Sequence, residues 1–188
     1  PAQPLPPPLP HLPASPPVVG IALDPGRENV TQMIDDIAVL KTMNVSGDGV
    51  NALWLDAGWY VTDPNMSSPI GSGGRNWFDG YGNYSADPVR FPGGLLPVSD
   101  AAHAAGLRLI LWFEPERVMK GNNEIYRVGA ANGYLRCLRN QQQCLYYYGA
   151  PGAVEWMRER LSGLIAQYGV DSKCKKSIRI VYCMFACM

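Results

Sequence analysis

Apolar residues in this chain fall into short runs and into rows spaced three and four apart, and the two patterns alternate. Val18-Val19-Gly20-Ile21-Ala22 is a run of buried-strand length, and Asp24-Pro25-Gly26 after it reads as a turn. From Glu28 to Met43 the apolar positions Val30, Met33, Ile34, Ile37, Ala38, Leu40 and Met43 recur at helical spacing, which predicts an amphipathic helix. Asn44 to Gly49 ends it with turn chemistry. Val50 to Leu55 is a second strand, ending at Asp56. Residues 60–94 are rich in Gly, Pro, Ser, Asn and aromatics, a long loop of the kind that carries function. Pro97 to Ala105 forms a short helix stopped by Gly106. Leu107 to Phe113 is a third strand, ending at Glu114-Pro115-Glu116. Pro151 to Tyr168 is a further helix with Gly169 behind it, and Val154, Met157, Leu161, Leu164 and Ile165 make its apolar face.

Strand–helix alternation of this kind implies an α/β fold with parallel strands and crossover helices. Ligands of such folds bind at the carboxyl ends of the strands, where Asp56 and the Trp112-to-Glu116 segment fall. The pattern alone leaves an open doubly wound sheet and a barrel as alternatives. Residues 1–17 contain nine prolines and read as a polyproline-like linker. Its PxxP spacings match an SH3-type ligand, but proline linkers show them by composition alone. Residues 18–171 form the folding unit. Residues 172–188 shift abruptly to Lys, Cys and Met and read as a tail of different origin.

Length changes the picture. At 188 residues the chain holds one ordinary domain, short of the about 250 residues of a complete (β/α)8 barrel. Formal net charge is zero, which gives no electrostatic case for nucleic acid or an anionic membrane as partner. No apolar run reaches the length of a membrane span. No GxGxxG or Walker-type loop is present, which counts against a nucleotide site. Cys137, Cys144, Cys174, Cys183 and Cys187 are odd in number and lack CxxC spacing, which argues against a metal site. Four Asn-x-Ser/Thr sequons begin at Asn29, Asn44, Asn65 and Asn83 and hint at a secreted glycoprotein. The first residues show no signal-peptide pattern, so the sequence supplies no address.

Two segments carry chemistry: Leu-Trp-Leu-Asp-Ala-Gly-Trp-Tyr (53–60) and Leu-Trp-Phe-Glu-Pro-Glu-Arg-Val (111–118). Each is an apolar strand that ends in carboxylates flanked by Trp. Sugars present hydroxyls and an apolar C–H face, so they are bound by carboxylates that accept hydroxyl protons and by indoles that cover the ring. The bland alternative places Trp54 and Trp112 in the core and the acids in helix caps. Glu114 and Glu116 also suggest a glycosidase carboxylate pair, about 5–5.5 Å apart in retaining enzymes. Residues i and i+2 of a strand share a face. The alternative pairs these glutamates with Arg117 or Arg108 or with backbone N–H groups.

Residues 53–60, then Gly82-Asn-Tyr-Ser-Ala-Asp-Pro-Val-Arg-Phe-Pro-Gly-Gly-Leu (82–95), then Pro97 to Val118, resemble the barrel domain of melibiase-type α-galactosidases. The resemblance spans roughly residues 26–171 and implies a partial (β/α)8 TIM barrel of three to four strand–helix units. It implies retaining hydrolysis of terminal non-reducing α-D-galactose in oligosaccharides such as raffinose and melibiose, with Asp56 and Trp112 lining the galactose subsite. No metal or organic cofactor is implied. Where the family has a second Asp after Asp56, this chain has Ala57, and where it has a Trp in the 82–86 stretch, this chain has Tyr84. Glu114 and Glu116 do not match its catalytic pair.

The family runs from a Tyr-Gly-Val-Asp-like segment into a strand ending in the nucleophilic Asp. Here Tyr168-Gly-Val-Asp171 is present, but nothing after it matches. A change of reading frame or a retained intron accounts for this simply. The chain is therefore expected to be a truncated, inactive fragment with no catalytic residue of its own and a tendency to self-associate. The alternatives are α-N-acetylgalactosaminide specificity, and a non-catalytic product that binds sugar weakly or has no function.

Overall fold

The computed structural model describes residues 20–23, 29–61, 80–121, 123–139 and 141–171. The proline-rich segment 1–17, the turn at Asp24, the middle of the long loop, and the tail with Cys174, Cys183 and Cys187 lie outside the described residues.

Three strands form a parallel sheet: β1 (Gly20–Leu23), β2 (Ala52–Leu55) and β3 (Arg108–Leu111), in that order. Their register is even, with Gly20, Ala52 and Arg108 in line at one end and Leu23, Leu55 and Leu111 at the other. Helix α1 (Val30–Thr42) follows β1 and helix α2 (Leu96–Ala104) precedes β3. The first helix starts two residues later than the apolar spacing suggests, because Asn29 caps it. Asn29 Oδ1 accepts from the Thr31 and Gln32 backbone N–H groups, and Gln32 returns a bond to the Asn29 N–H.

Side chains alternate across a strand, and burial here follows that alternation. Leu53, Leu55, Leu109 and Leu111 join Met33 and Ile37 of α1 and Val98 and Ala102 of α2 in one core. On the opposite face, Trp54 and Ile110 are only half-buried. Trp54 Nε1 is buried and has no hydrogen-bond partner among the described residues. The face that carries Leu53, Leu55, Leu109 and Leu111 is thus well covered, while among the described residues the opposite face is covered only in part.

The alternation breaks down beyond β3. An antiparallel sheet follows, with β4 (Arg117–Met119), β5 (Leu135–Cys137) and β6 (Gln143–Tyr146) in the order β4-β6-β5. Helix α3 (Glu124–Ala131), capped by Asn123, joins β4 to β5. Cys137 and Cys144, directly opposed on β5 and β6, form a disulfide. Helix α4 (Ala153–Gln167) then buries Met157, Leu161 and Leu164. Behind it the chain returns to the parallel sheet. Asp171 donates its N–H to the Leu109 carbonyl at 3.0 Å, while its Oδ2 accepts from the Leu109 N–H at 2.8 Å and lies 2.5 Å from His103 Nε2. A fourth position beside β3 is therefore begun. The described residues form a mixed α/β fold with no closed barrel.

A parallel sheet with open edges and one incompletely covered face seeks a partner. Residues 18–188 expressed alone are expected to self-associate or to melt broadly. Sizing chromatography with thermal melting checks this; a sharp cooperative melt from a species of monomer mass contradicts it.

Candidate functional site

The even register of β2 and β3 brings Asp56 and Trp112 together. Each follows its strand directly, and the Trp112 N–H donates to the Leu55 carbonyl at 2.9 Å, so the ladder runs on into the site. Continued alternation sets both on the same side as Trp54 and Ile110, at the carboxyl edge. Asp56 is exposed and its Oδ1 accepts from the Ala57 N–H at 2.7 Å. Trp112 is half-buried, with its ring near-parallel to Tyr60 at 6.3 Å and to Tyr81 at 6.2 Å between centroids. Those are offset contacts rather than face-to-face stacks.

Beneath the rim lies an aromatic floor. Trp59, Tyr60, Tyr84 and Phe113 are buried. Trp59 meets Tyr60, Phe113 and Tyr168 edge-on, and its Nε1 donates to the Trp112 carbonyl at 3.0 Å. Tyr84 holds the Glu114 backbone, whose N–H donates to its hydroxyl at 3.0 Å. Tyr84 is therefore core, not rim, and burial raises its hydroxyl pKa well above the usual value. Burial also raises that of Tyr60.

The described parts of the loop are clamped onto this floor. Val61 donates to the Ser85 carbonyl and Asp87 to that of Trp59. The Arg90 guanidinium bonds both Asp87 Oδ2 and the Gly58 carbonyl. Gly80 and Gly82 permit the close approach. A Cβ on Gly80 would lie 2.7 Å from the Tyr60 ring, and one on Gly82, at φ +86°, 2.9 Å from Val118. Residues 62–79 lie outside the described part, so the concave surface expected from the whole loop 60–94 is defined here only at its two ends.

Glu114 and Glu116 are not on a strand. They sit in the turn between β3 and β4, so the shared-face argument for a carboxylate pair does not apply to them. Glu114 is buried and ion-paired with Arg117, and it hydrogen-bonds Tyr81. That bond to Glu114 raises the Arg117 pKa, and the guanidinium also covers the Tyr81 ring at 4.4 Å. A carboxylate held this way orients its neighbours and is not poised to attack. Burial pushes the Glu116 carboxyl above the ordinary value of 4.5, against the pull of Arg117. Tyr81 and Arg117 escaped the sequence reading as site residues. The signal available was the aromatic and glycine spacing of Tyr81-Gly82-Asn83-Tyr84. A separate groove of about 440 Å3 lies on the outer face of the second sheet and shares Arg117 with the site. Among the described residues no His/Cys/Asp/Glu cluster fits a metal, and no helix is long and apolar enough to cross a membrane.

Alpha-galactosidase 2 of Pediococcus pentosaceus is 33% identical over 79 residues, covering 42% of this chain and 9% of that protein. A GH36 α-galactosidase variant of Geobacillus stearothermophilus, solved with stachyose, superposes with a TM-score of 0.57 at 18% identity, over 82% of this chain and 20% of its own. The Lactobacillus brevis α-galactosidase gives 0.58 at 18% identity, over 90% and 25%. No protein-family model matches the chain. The chain is thus distantly related to the GH36 α-galactosidases, shares their fold over most of its described length, and spans a small part of them.

The direction of the Glu116 shift has a measurable sign. A carboxyl whose pKa is raised by folding stabilises the fold below the unfolded value, and that contribution is lost as pH rises through the folded value. Glu116→Gln should therefore raise the urea midpoint at neutral pH, with the gain shrinking toward zero as pH falls below 4.5. A gain independent of pH would contradict the assignment.

Proposed function

We propose that this chain is the amino-terminal part of the barrel of an α-galactosidase, an enzyme that hydrolyses terminal non-reducing α-D-galactose in oligosaccharides such as raffinose and melibiose. The observation that carries this is the register of β2 and β3, which brings Asp56 beside Trp112 at the carboxyl edge of the parallel sheet, in a chain that superposes on part of a GH36 α-galactosidase. The Asp56 carboxylate accepts hydrogen bonds from sugar hydroxyls. Trp112 supplies an apolar edge against the C–H face of the ring.

The reaction needs two more carboxyl groups. One attacks the anomeric carbon and the other protonates the leaving oxygen and later activates water. Glu114 is committed to Arg117 and Tyr81, so neither role falls to it. Ala57 leaves one carboxylate fewer at the rim than the family carries. That substitution favours weaker galactose binding, or a shift toward α-N-acetylgalactosaminides, as the second reading.

Residues 1–188 on their own should not turn over an aryl α-galactoside, because losing the nucleophile and the acid/base removes the chemical step. Release of the aryl group above a heat-killed control would overturn this. Galactose binding to the same polypeptide, read by ligand-observed NMR, tests the subsite itself. Losing a hydrogen bond to a charged group costs about 1.5–3 kcal/mol, so Asp56→Asn should weaken binding about tenfold or more, and Trp112→Ala should weaken it as well. Binding that survives both changes sinks the assignment of the subsite.

A further inference from the structure

The disulfide and the sequons have no part in sugar binding, and together they point elsewhere. Cys137–Cys144 joins opposed residues of β5 and β6. Such bonds form and persist in oxidising compartments and are rare in a reducing cytosol. The eukaryotic secretory route is also where Asn-x-Ser/Thr sequons are glycosylated. This chain has four, of which those at Asn29, Asn44 and Asn83 lie within the described residues and that at Asn65 does not.

Geometry separates the three. Asn44-Val45-Ser46 follows the end of α1, with Asn44 and Ser46 exposed. Its backbone turns through φ 54°, a left-handed conformation that Asn tolerates better than most residues. Its side chain lies over Gly47, where a Cβ would stand 2.3 Å from Asn44 Nδ2. Gly47 has no Cβ, so the Asn44 side chain packs on bare backbone within an exposed turn. The segment leads into the amino end of β2, so this sequon is at the opposite edge of the sheet from Asp56 and Trp112.

Asn83-Tyr84-Ser85 differs in each respect. Asn83 is half-buried in a turn closed by its own N–H on the Gly80 carbonyl. Tyr81 before it and Tyr84, the middle residue of the sequon, are both buried in the aromatic floor. A branched sugar there would crowd the site rim. Asn29 is intermediate: its Oδ1 is held by the α1 cap, and the next residue, Val30, donates its N–H to the Arg90 carbonyl of the clamped loop.

We propose that Asn44 carries an N-linked glycan in the mature protein and that Asn83 does not. The transfer joins Asn44 Nδ2 to the anomeric carbon of an oligosaccharide carried on a lipid diphosphate. The lipid diphosphate leaves, and the amide nitrogen gives up one proton.

Mapping of the mature protein from its source tests this. Enzymatic release of N-glycans in heavy-oxygen water converts each occupied Asn to labelled Asp. Label is expected at Asn44 and none at Asn83, with Cys137 and Cys144 resistant to alkylation until reduced. In a form secreted from a eukaryotic host, Ser46→Ala should abolish the label at Asn44, and Ser85→Ala should leave the map unchanged. Ser46→Ala is the better probe, because it removes the sequon without disturbing the left-handed Asn44. An unlabelled Asn44, a labelled Asn83, or free thiols at Cys137 and Cys144 in the mature protein would each overturn the proposal.

Discussion

One buried indole holds the two strand ends together. Trp59 belongs to the segment after β2, yet its Nε1 bonds the carbonyl of Trp112, the residue after β3, and its ring meets Tyr60, Phe113 and Tyr168 edge-on. An indole is large and apolar but carries one donor, and burying it costs less when that donor is satisfied. Here the acceptor is supplied by the neighbouring strand. The bond that satisfies Trp59 therefore also fixes the spacing between the segments bearing Asp56 and Trp112. Tyr168 extends the arrangement to the end of α4, since its hydroxyl accepts from the Ala86 N–H.

The charged groups around this floor divide by their commitments. Arg90 and Asp87 are spent on the loop, and Glu114 and Arg117 on each other and on Tyr81. These pairs are partly or fully buried and bonded on several sides, which makes them rigid supports rather than reagents. Asp56, exposed at the rim, and Glu116, half-buried and reluctant to ionise, are the carboxyl groups not consumed in this way. The rim thus has a stiff base and, in Asp56, an exposed carboxylate.

The sequence revealed the elements whose side chains follow one period. β2 and β3 are apolar runs cut short by acidic residues, and α1 and α4 keep spacings of three and four along thirteen and fifteen residues. Their boundaries moved by a few residues where a cap, such as Asn29, overrode the periodicity. The second sheet was not legible. Its strands are three or four residues long and mix Arg and Gln with Leu, Val, Met, Cys and Tyr, and β5 and β6 share a disulfide. That Asp56 and Trp112 stand side by side was legible because each directly follows one of two neighbouring parallel strands. Tyr84 was harder to place, because nothing local distinguishes a tyrosine lining a rim from one whose hydroxyl props up the backbone of Glu114.

The contact at Asp171 has a bearing on distance. Its carboxylate occupies the Leu109 N–H, where an adjoining strand would ordinarily offer a backbone carbonyl, while its own N–H reaches the Leu109 carbonyl. The point at which a fourth strand can begin is thereby anchored level with the second residue of β3. A strand advances about 3.3 Å per residue, and Trp112 stands three residues beyond Leu109. Any strand that runs on from Asp171 beside β3 draws level with Trp112 after only about three residues, so the side chains it brings to the rim are decided within a single short stretch of sequence.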